Sequence, residues 1–143
     1  MREGQSYRLA HHGSLLVLRA AAGGGNQGVV IVRLVVDTGA SYTTLPVEVV
    51  EALGCDTHHP LRTVRIVAAN GIIVAPVVAL PWFHCLGQRL SNFSVVAHTL
   101  PTGTFVDGLL GMDFLSHCRA VIAVGEATLR CQLALPAQTS GNT

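Results

Sequence analysis

The sequence has 143 residues, of which 50% are hydrophobic and 12% charged, and its formal net charge is +1. This composition indicates one compact domain rather than a disordered chain. All basic side chains other than histidine are arginines; the absence of lysine excludes a Walker-type phosphate loop and Schiff-base catalysis, and the absence of a basic run argues against a nucleic-acid partner.

The four cysteines, at positions 55, 85, 118 and 131, show no spacing typical of a zinc site or a C-x-x-C motif. We therefore expect reduced, mostly buried thiols in a cytoplasmic protein, with a single disulfide as the alternative. No apolar run is long enough to span a membrane, and the first residues do not resemble a signal peptide. A soluble domain cut from a larger or anchored protein is the other interpretation.

The first half of the chain predicts a polar N-terminal arm or marginal strand at 1–13, followed by a hairpin. Two apolar runs, 14–20 and 28–36, are joined by a glycine-rich turn and predict antiparallel strands. Pro46 and the glycine at 54 frame a predicted helix at 47–53, since proline is favoured at the start of a helix and glycine just past its end.

The second half begins with β-rich runs on either side of Asn70-Gly71, the strongest short hairpin signal. With these two residues at the tip, Ala69 pairs with Ile72. Pro76 and a second proline at 81 predict that the returning strand lies at an edge or is broken. The other predicted elements are strands at 91–97, 105–111, 119–124 and 128–135, and a short helix at 112–117.

Many short strands and two brief helices predict an all-β, closed barrel-like fold for a single domain at 14–135. The polar residues 136–143 predict a disordered tail.

The motif Asp37-Thr38-Gly39-Ala40-Ser41 directly follows the apolar run that ends at position 36. A carboxylate at the end of a buried strand is costly unless it is hydrogen-bonded or used. Asp37 is therefore a candidate catalytic residue. A carboxylate that only caps a turn is the alternative.

Three features in order resemble the retropepsin-like, retroviral-type aspartic peptidases, and specifically their cellular or bacterial members. They are the Asp-Thr-Gly motif, the Asn70-Gly71 hairpin and Leu109-Leu110-Gly111. The resemblance implies that Leu109, Leu110 and Gly111 pack beside the catalytic loop and that a helix follows them.

The resemblance also implies a role for each residue of the loop. Asp37 is acid and base in alternation with its symmetry mate, and Thr38 hydrogen-bonds across the two-fold axis. Gly39 offers its carbonyl to the substrate backbone, and Ala40 and Ser41 line or brace the site.

The resemblance implies a flap between the Asp-Thr-Gly motif and the second family signature, Leu109-Leu110-Gly111. The flap would clamp an extended peptide by main-chain hydrogen bonds. Its expected residues are Ala69, Asn70, Gly71, Ile72 and Ile73. The predicted pocket walls are apolar, which favours hydrophobic substrate side chains beside the scissile bond; the candidates are Leu34, Ile72, Ile73 and Leu109.

The chain has a single Asp-Thr-Gly, whereas this chemistry needs two carboxylates that share one proton. A symmetric homodimer with Asp37 at its axis supplies the pair and predicts an acidic activity optimum. Asp107 and Asp113 lack the motif and are weak candidates. Retroviral members commonly have Asp where Ser41 stands and Arg where Met112 stands, so the subunit interface is expected to differ here.

Two alternatives to a homodimeric aspartic endopeptidase follow from the sequence. One is a weakly active or inactive module that uses the same fold for dimerisation or peptide binding. The other is a metal-dependent hydrolase built on the seven histidines, which lack a H-E-x-x-H or similar spacing. No metal or cofactor is expected, and the expected partners are a second copy and an extended polypeptide.

Overall fold

Most of the described chain is β-structure. The computed structural model describes residues 4–68 and 71–132. Its strands are β1 (Gln5–Arg8), β2 (Ala10–His12), β3 (Leu15–Gly23), β4 (Val29–Val36), β5 (Thr44–Leu45), β6 (Arg62–Ala68), β7 (Gly71–Cys85), β8 (Gln88–Ala97), β9 (Gly108–Leu110), β10 (Ala120–Ala123) and β11 (Thr128–Cys131). The helices are α1 (Val47–Ala52) and α2 (Met112–His117), with a 3-10 turn at Gly25–Gln27.

Eight strands form one sheet in the order β2-β3-β4-β9-β5-β8-β7-β6, and β3 also pairs with β7. That additional pairing joins six of these strands into a ring, with β2 and β6 outside it. The predicted closed, barrel-like all-β fold is therefore confirmed.

A smaller sheet has the order β1-β11-β10, so β11 is paired on both edges within its own chain. Gln5 of β1 and Ala120 of β10 lie on either side of Cys131. The segment predicted as an N-terminal arm contains β1 and β2, each of which pairs with a neighbour. The predicted tail at 136–143 lies outside the described residues.

The core lies between the strands and α2. Phe83 and Phe114 are fully buried and meet edge to face, with ring centroids 5.7 Å apart, and Phe93 stacks on Phe83 at 4.9 Å. Such aromatic contacts add to the stabilisation from burial alone. Because α2 contributes Phe114 to this cluster, the position of the helix is fixed by the core.

Both predicted helices are present. The first begins after Pro46, which is extended, and ends at Ala52, one residue before the predicted end; Leu53 is its C-cap, and Gly54 follows with a positive φ of 88°. The second has the predicted bounds, 112–117. Neither helix, nor any other in the described residues, is long and apolar enough to cross a membrane.

The predicted register of the β6–β7 hairpin and the predicted place of Gly71 in its turn are both wrong. Val67 pairs with Ile72 and Ala68 with Gly71, so the strand register is not the one that a turn tip at 70 and 71 requires. Gly71, with a φ of 121°, opens β7 instead of forming the turn. The predicted partner of Ile72, Ala69, lies outside the described residues together with Asn70.

The prediction of an edge or broken strand at the prolines is also wrong, because β7 is interior and continuous through both of them. Pro76 pairs with β6 one residue before the pairing with β8 begins at Val77. Pro81 lies opposite Asn92, where the ladder between Leu80 and Trp82 is interrupted. Proline is thus tolerated inside the sheet because each one falls where a ladder hydrogen bond is not needed.

Candidate active site

The end of β4 places Asp37 at the site. β4 pairs in parallel with β9, and Leu34 and Val36 lie opposite Gly108 and Leu110. The backbone N–H of Asp37 continues this ladder by donating to the Leu110 carbonyl at 3.0 Å. The Asp-Thr-Gly motif and the second signature, 109–111, therefore lie side by side.

A tight turn orients the Asp37 carboxylate. The Gly39 N–H donates to Asp37 Oδ1 at 2.9 Å, and the Ala40 N–H donates to the Asp37 carbonyl at 3.2 Å. Asp37 is half-buried, whereas Thr38 and Gly39 are exposed. The turn holds one carboxylate oxygen, and no described side chain bonds to the other.

The turn is tied to α2 through backbone contacts. The Met112 N–H donates to the Ala40 carbonyl at 2.8 Å, and the Asp113 N–H donates to the Ser41 carbonyl at 3.2 Å. Ser41 and Met112 are the positions at which retroviral members carry an ion pair. Main-chain hydrogen bonds join the two segments here.

Asp113 and Thr43 form the second connection between the loop and the helix. Thr43 donates to the Asp113 carboxylate from both its hydroxyl and its backbone N–H. The Phe114 N–H donates to Asp113 Oδ1 at 2.7 Å. With both oxygens occupied in this way, Asp113 is a structural residue of the site. The sequence treated it only as a weak catalytic candidate, and no local motif indicated its contact with a residue 70 positions away.

Two glycines let the segments approach closely. A Cβ on Gly108 would collide with the Thr44 carbonyl, and one on Gly111 would collide with the backbone of Tyr42 and Ala40. Both sites need glycine for space, since the nearest atoms belong to backbone. The glycine of the second signature therefore has a packing role.

A cleft of about 400 Å³ opens beside Asp37. Its apolar walls include Ile66, Val96 and Leu109, and Arg65 lies at its border. Asp37 is the one acidic residue among the described residues that line it. The full lining is Asp37, Gly39, Ala40, Ser41, Tyr42, Thr44, Arg65, Ile66, Val67, Val96 and Leu109.

The predicted pocket walls are only partly those of the structure. Leu109 lines the cleft, but Leu34 is fully buried in the core, so its assignment to the wall was wrong. Ile72 and Ile73 do not line this cleft; residues 65–67, on the partner strand of the hairpin, do. Alternation alone could not show which strand of the hairpin turns toward the cleft.

The described residues contain no group of three or more His, Cys, Asp or Glu side chains that could hold a metal ion. His58 and His59 contact Asp56 in an exposed loop, where the His59 Nδ1 lies 2.8 Å from Asp56 Oδ2. The hydrogen bond from His59 lowers the pKa of Asp56, followed by that from the His58 backbone.

The fold is that of a retropepsin-like aspartic protease. An aspartyl protease family model matches residues 23–114, and the chain belongs to that family. A comparison with curated proteins found no match.

Solved structures show the same fold. A retropepsin-like aspartic protease from Rickettsia conorii superposes with a TM-score of 0.64 and 22% identity, over 92% of this chain and 96% of that chain. The retroviral protease-like domain of Ddi1 from Leishmania major superposes with a TM-score of 0.52 and 18% identity, over 90% of this chain and 100% of that chain.

Proposed function

We propose that the protein is an aspartic endopeptidase that is active as a homodimer. The observation that supports this most directly is a cleft with a single carboxylate, that of Asp37, among the described residues. Hydrolysis by aspartic peptidases needs two carboxylates that share one proton. A second copy, related by a two-fold axis, supplies the missing carboxylate.

In the proposed reaction, a water molecule lies between the two carboxylates. One Asp37 is ionised and accepts a proton from the water as it attacks the carbonyl carbon. Asp37 of the partner subunit is protonated and donates to the carbonyl oxygen, which gives a tetrahedral gem-diol. The first Asp37 then passes the proton it took from water to the amide nitrogen, the C–N bond breaks, and the partner's Asp37 takes back a proton from a gem-diol hydroxyl, which leaves the new carboxyl group and the free amine. The roles can exchange between turnovers because the two side chains are equivalent.

Neither of the other two aspartates near the second signature is available to complete the pair. Asp107 Oδ2 accepts a hydrogen bond from the Arg33 N–H at 2.7 Å. These two residues directly precede the first pair of the β4–β9 ladder, Leu34 and Gly108, whereas Asp37 follows its last pair. Asp113 is occupied by Thr43. A catalytic pair formed within one chain is therefore disfavoured.

Exposed apolar surface next to the catalytic turn supports a second copy. Met112, the first residue of α2, is 40% exposed, and its backbone N–H bonds to the turn at Ala40. A groove of about 240 Å³ lies between the turn and this surface, and it is lined by Thr38, Met112, Leu115, Ser116, Arg119, Ala120 and Ile122. Apolar patches of this kind mark contact sites.

The shape of the cleft supports an extended polypeptide as substrate. β6 ends the order of the large sheet, so its outer edge has main-chain groups free to pair with a peptide. Residues 65–67 of this strand also line the cleft. The apolar walls favour hydrophobic side chains beside the scissile bond.

Cleavage of an unfolded, fluorescently quenched protein at acidic pH tests the activity. We expect Asp37→Asn to abolish cleavage and a statine-type inhibitor to block the wild type. Asp107→Asn is the matched control, since it makes the same chemical change outside the cleft and keeps an acceptor oxygen. Equal cleavage by wild type and Asp37→Asn would overturn the assignment.

Mixing wild type with Asp37→Asn at constant total protein tests the dimer. If both chains contribute to each site, the activity falls as the square of the wild-type fraction. A linear fall would show that each chain acts alone. A folded dimer that cleaves nothing would instead indicate a peptide-binding module.

A further inference from the structure

The outer face of the large sheet carries a cluster of exposed positive charge. Arg19 of β3 lies directly opposite Arg33 of β4, and both side chains are exposed. Like charges directly opposite each other destabilise an antiparallel pair. The ion pairs of the described residues join His58 and His59 to Asp56, so neither arginine side chain is paired with a described carboxylate.

The same face continues across β7 and β8. His84 lies opposite Ala21, two residues from Arg19 on the same side of β3, and Arg89 lies opposite His84. The Arg89 guanidinium stacks on the Trp82 ring, 4.1 Å from its centroid. Arg19, Arg33, His84 and Arg89 are called the basic face below.

Apolar side chains lie among these cations. Val29 and Ile31, which lie on the same face of β4 as Arg33, are 59% and 61% exposed. Beside them is a groove of about 550 Å³ whose walls include Arg8, Arg19, Ile31 and His84, and none of the described residues that line it is acidic. It shares no lining residue with the Asp37 cleft.

An open sheet edge borders this groove. One edge of β3 pairs first with β2, and the last pair is Val17 with Ala10. The same edge then pairs with β7, and the first pair is Ala21 with His84. Residues 18–20 have a strand partner only on the other side, in β4. Main-chain groups of this stretch are therefore available to an extended ligand.

We propose that the basic face binds an acidic segment of an extended polypeptide. Its carboxylates bind Arg19 and Arg33, because the planar guanidinium matches a carboxylate. Its apolar side chains lie on Ile31 and in the groove. The exposed isoleucine and the open β3 edge favour a peptide over an inorganic polyanion, which could use the charges alone. This site is separate from the proposed peptidase site.

Fluorescence anisotropy with a labelled peptide of alternating glutamate and valine tests the site, using Asp37→Asn protein to prevent cleavage. We expect binding that weakens with salt, and no binding of the matched lysine–valine peptide. Arg19→Gln/Arg33→Gln should bind roughly fivefold to tenfold more weakly, since exposed arginine–carboxylate pairs each contribute a small factor. An excess of a statine-type inhibitor should not displace the peptide.

Arg62→Gln/Arg130→Gln is the control, because it removes the same charge from two exposed positions that do not line the groove. It should bind the glutamate–valine peptide like the parent. Melting temperatures of both double variants show that they are folded. Three results would each overturn the proposal: equal weakening in the control, equal binding of the lysine–valine peptide, or displacement of the peptide by inorganic polyphosphate at matched charge.

Discussion

The carboxylate of Asp113 holds both polar groups of Thr43: the threonine hydroxyl donates to Oδ1 at 2.7 Å and its N–H donates to Oδ2 at 2.9 Å. The same hydroxyl accepts from the Gly111 N–H at 3.2 Å, and Thr43 has 0% exposure. These bonds join the chain after the catalytic turn to the first residues of α2.

Thr43→Val removes the hydroxyl and leaves the Gly111 N–H and one Asp113 bond without their partner. We expect the free energy of unfolding to fall by about 2–3 kcal/mol, because buried polar groups lose hydrogen bonds, one of them to a charged acceptor. Urea denaturation measures this. Thr63→Val, at an exposed position of β6, should change the value by less than about 0.5 kcal/mol. Similar losses in both variants would contradict the role of Thr43.

Gly111→Ala should destabilise the protein because the new Cβ would collide with the backbone of Tyr42 and Ala40. A cost of about 1–3 kcal/mol is typical of such overpacking. Gly125→Ala is the control, since nothing lies within 4 Å of its Cβ position. Thermal unfolding of the two variants compares them, and a Gly111→Ala protein as stable as Gly125→Ala would show that the loop and helix are not closely packed.

Asp37→Asn should keep the proposed dimer or tighten it while it abolishes cleavage. Two carboxylates at one axis repel each other when both are ionised, and amides remove that repulsion. Sedimentation equilibrium of wild type and variant measures the association constant. A variant that is monomeric at concentrations where the wild type is dimeric would mean that Asp37 does not face its symmetry mate.

The protein should lose stability at alkaline pH because of its buried thiols. Burial, and then the hydrogen bond that the Cys118 thiol shares with Cys131, raises the pKa of Cys118 from 9.0 to about 12. The unfolded chain therefore releases this proton at lower pH than the folded chain does. The stabilisation is complete below pH 9.0 and is lost progressively as the pH rises toward 12.

Denaturation curves recorded at increasing pH above neutrality test this, with Cys118→Ala as the comparison. The variant is expected to be less stable at neutral pH because a buried side chain is truncated, but its stability should fall less steeply above pH 9.0. Parallel pH profiles would show that Cys118 does not titrate differently in the two states.

Local signals in the sequence predicted those parts of the fold that local interactions determine. The bounds of α2 and the end of β4 at Val36 follow from glycine and apolar patterning within a few residues. The β6–β7 register was predicted with Ala69 opposite Ile72, whereas Ala68 lies opposite Gly71. The Asn70-Gly71 motif is a local signal and carries no information on how the long β7 pairs with β3 and β8.

Features that depend on distant residues were not predicted. The Asp113–Thr43 hydrogen bonds join positions 70 residues apart, and neither residue lies in a sequence motif that predicts the contact. Leu34 was a candidate for an apolar pocket wall, yet its side chain is fully buried in the core. Sidedness of this kind is set by the closure of the sheet.

β11 pairs with β1 on one edge and with β10 on the other, all within one chain. A subunit that completes its own terminal sheet does not need a neighbour's strand to fold. If the proposed homodimer forms, its dissociation would leave intact monomers, and the amount of active dimer would depend on protein concentration through mass action. Dilution would act as a reversible off-switch without passing through an unfolded chain.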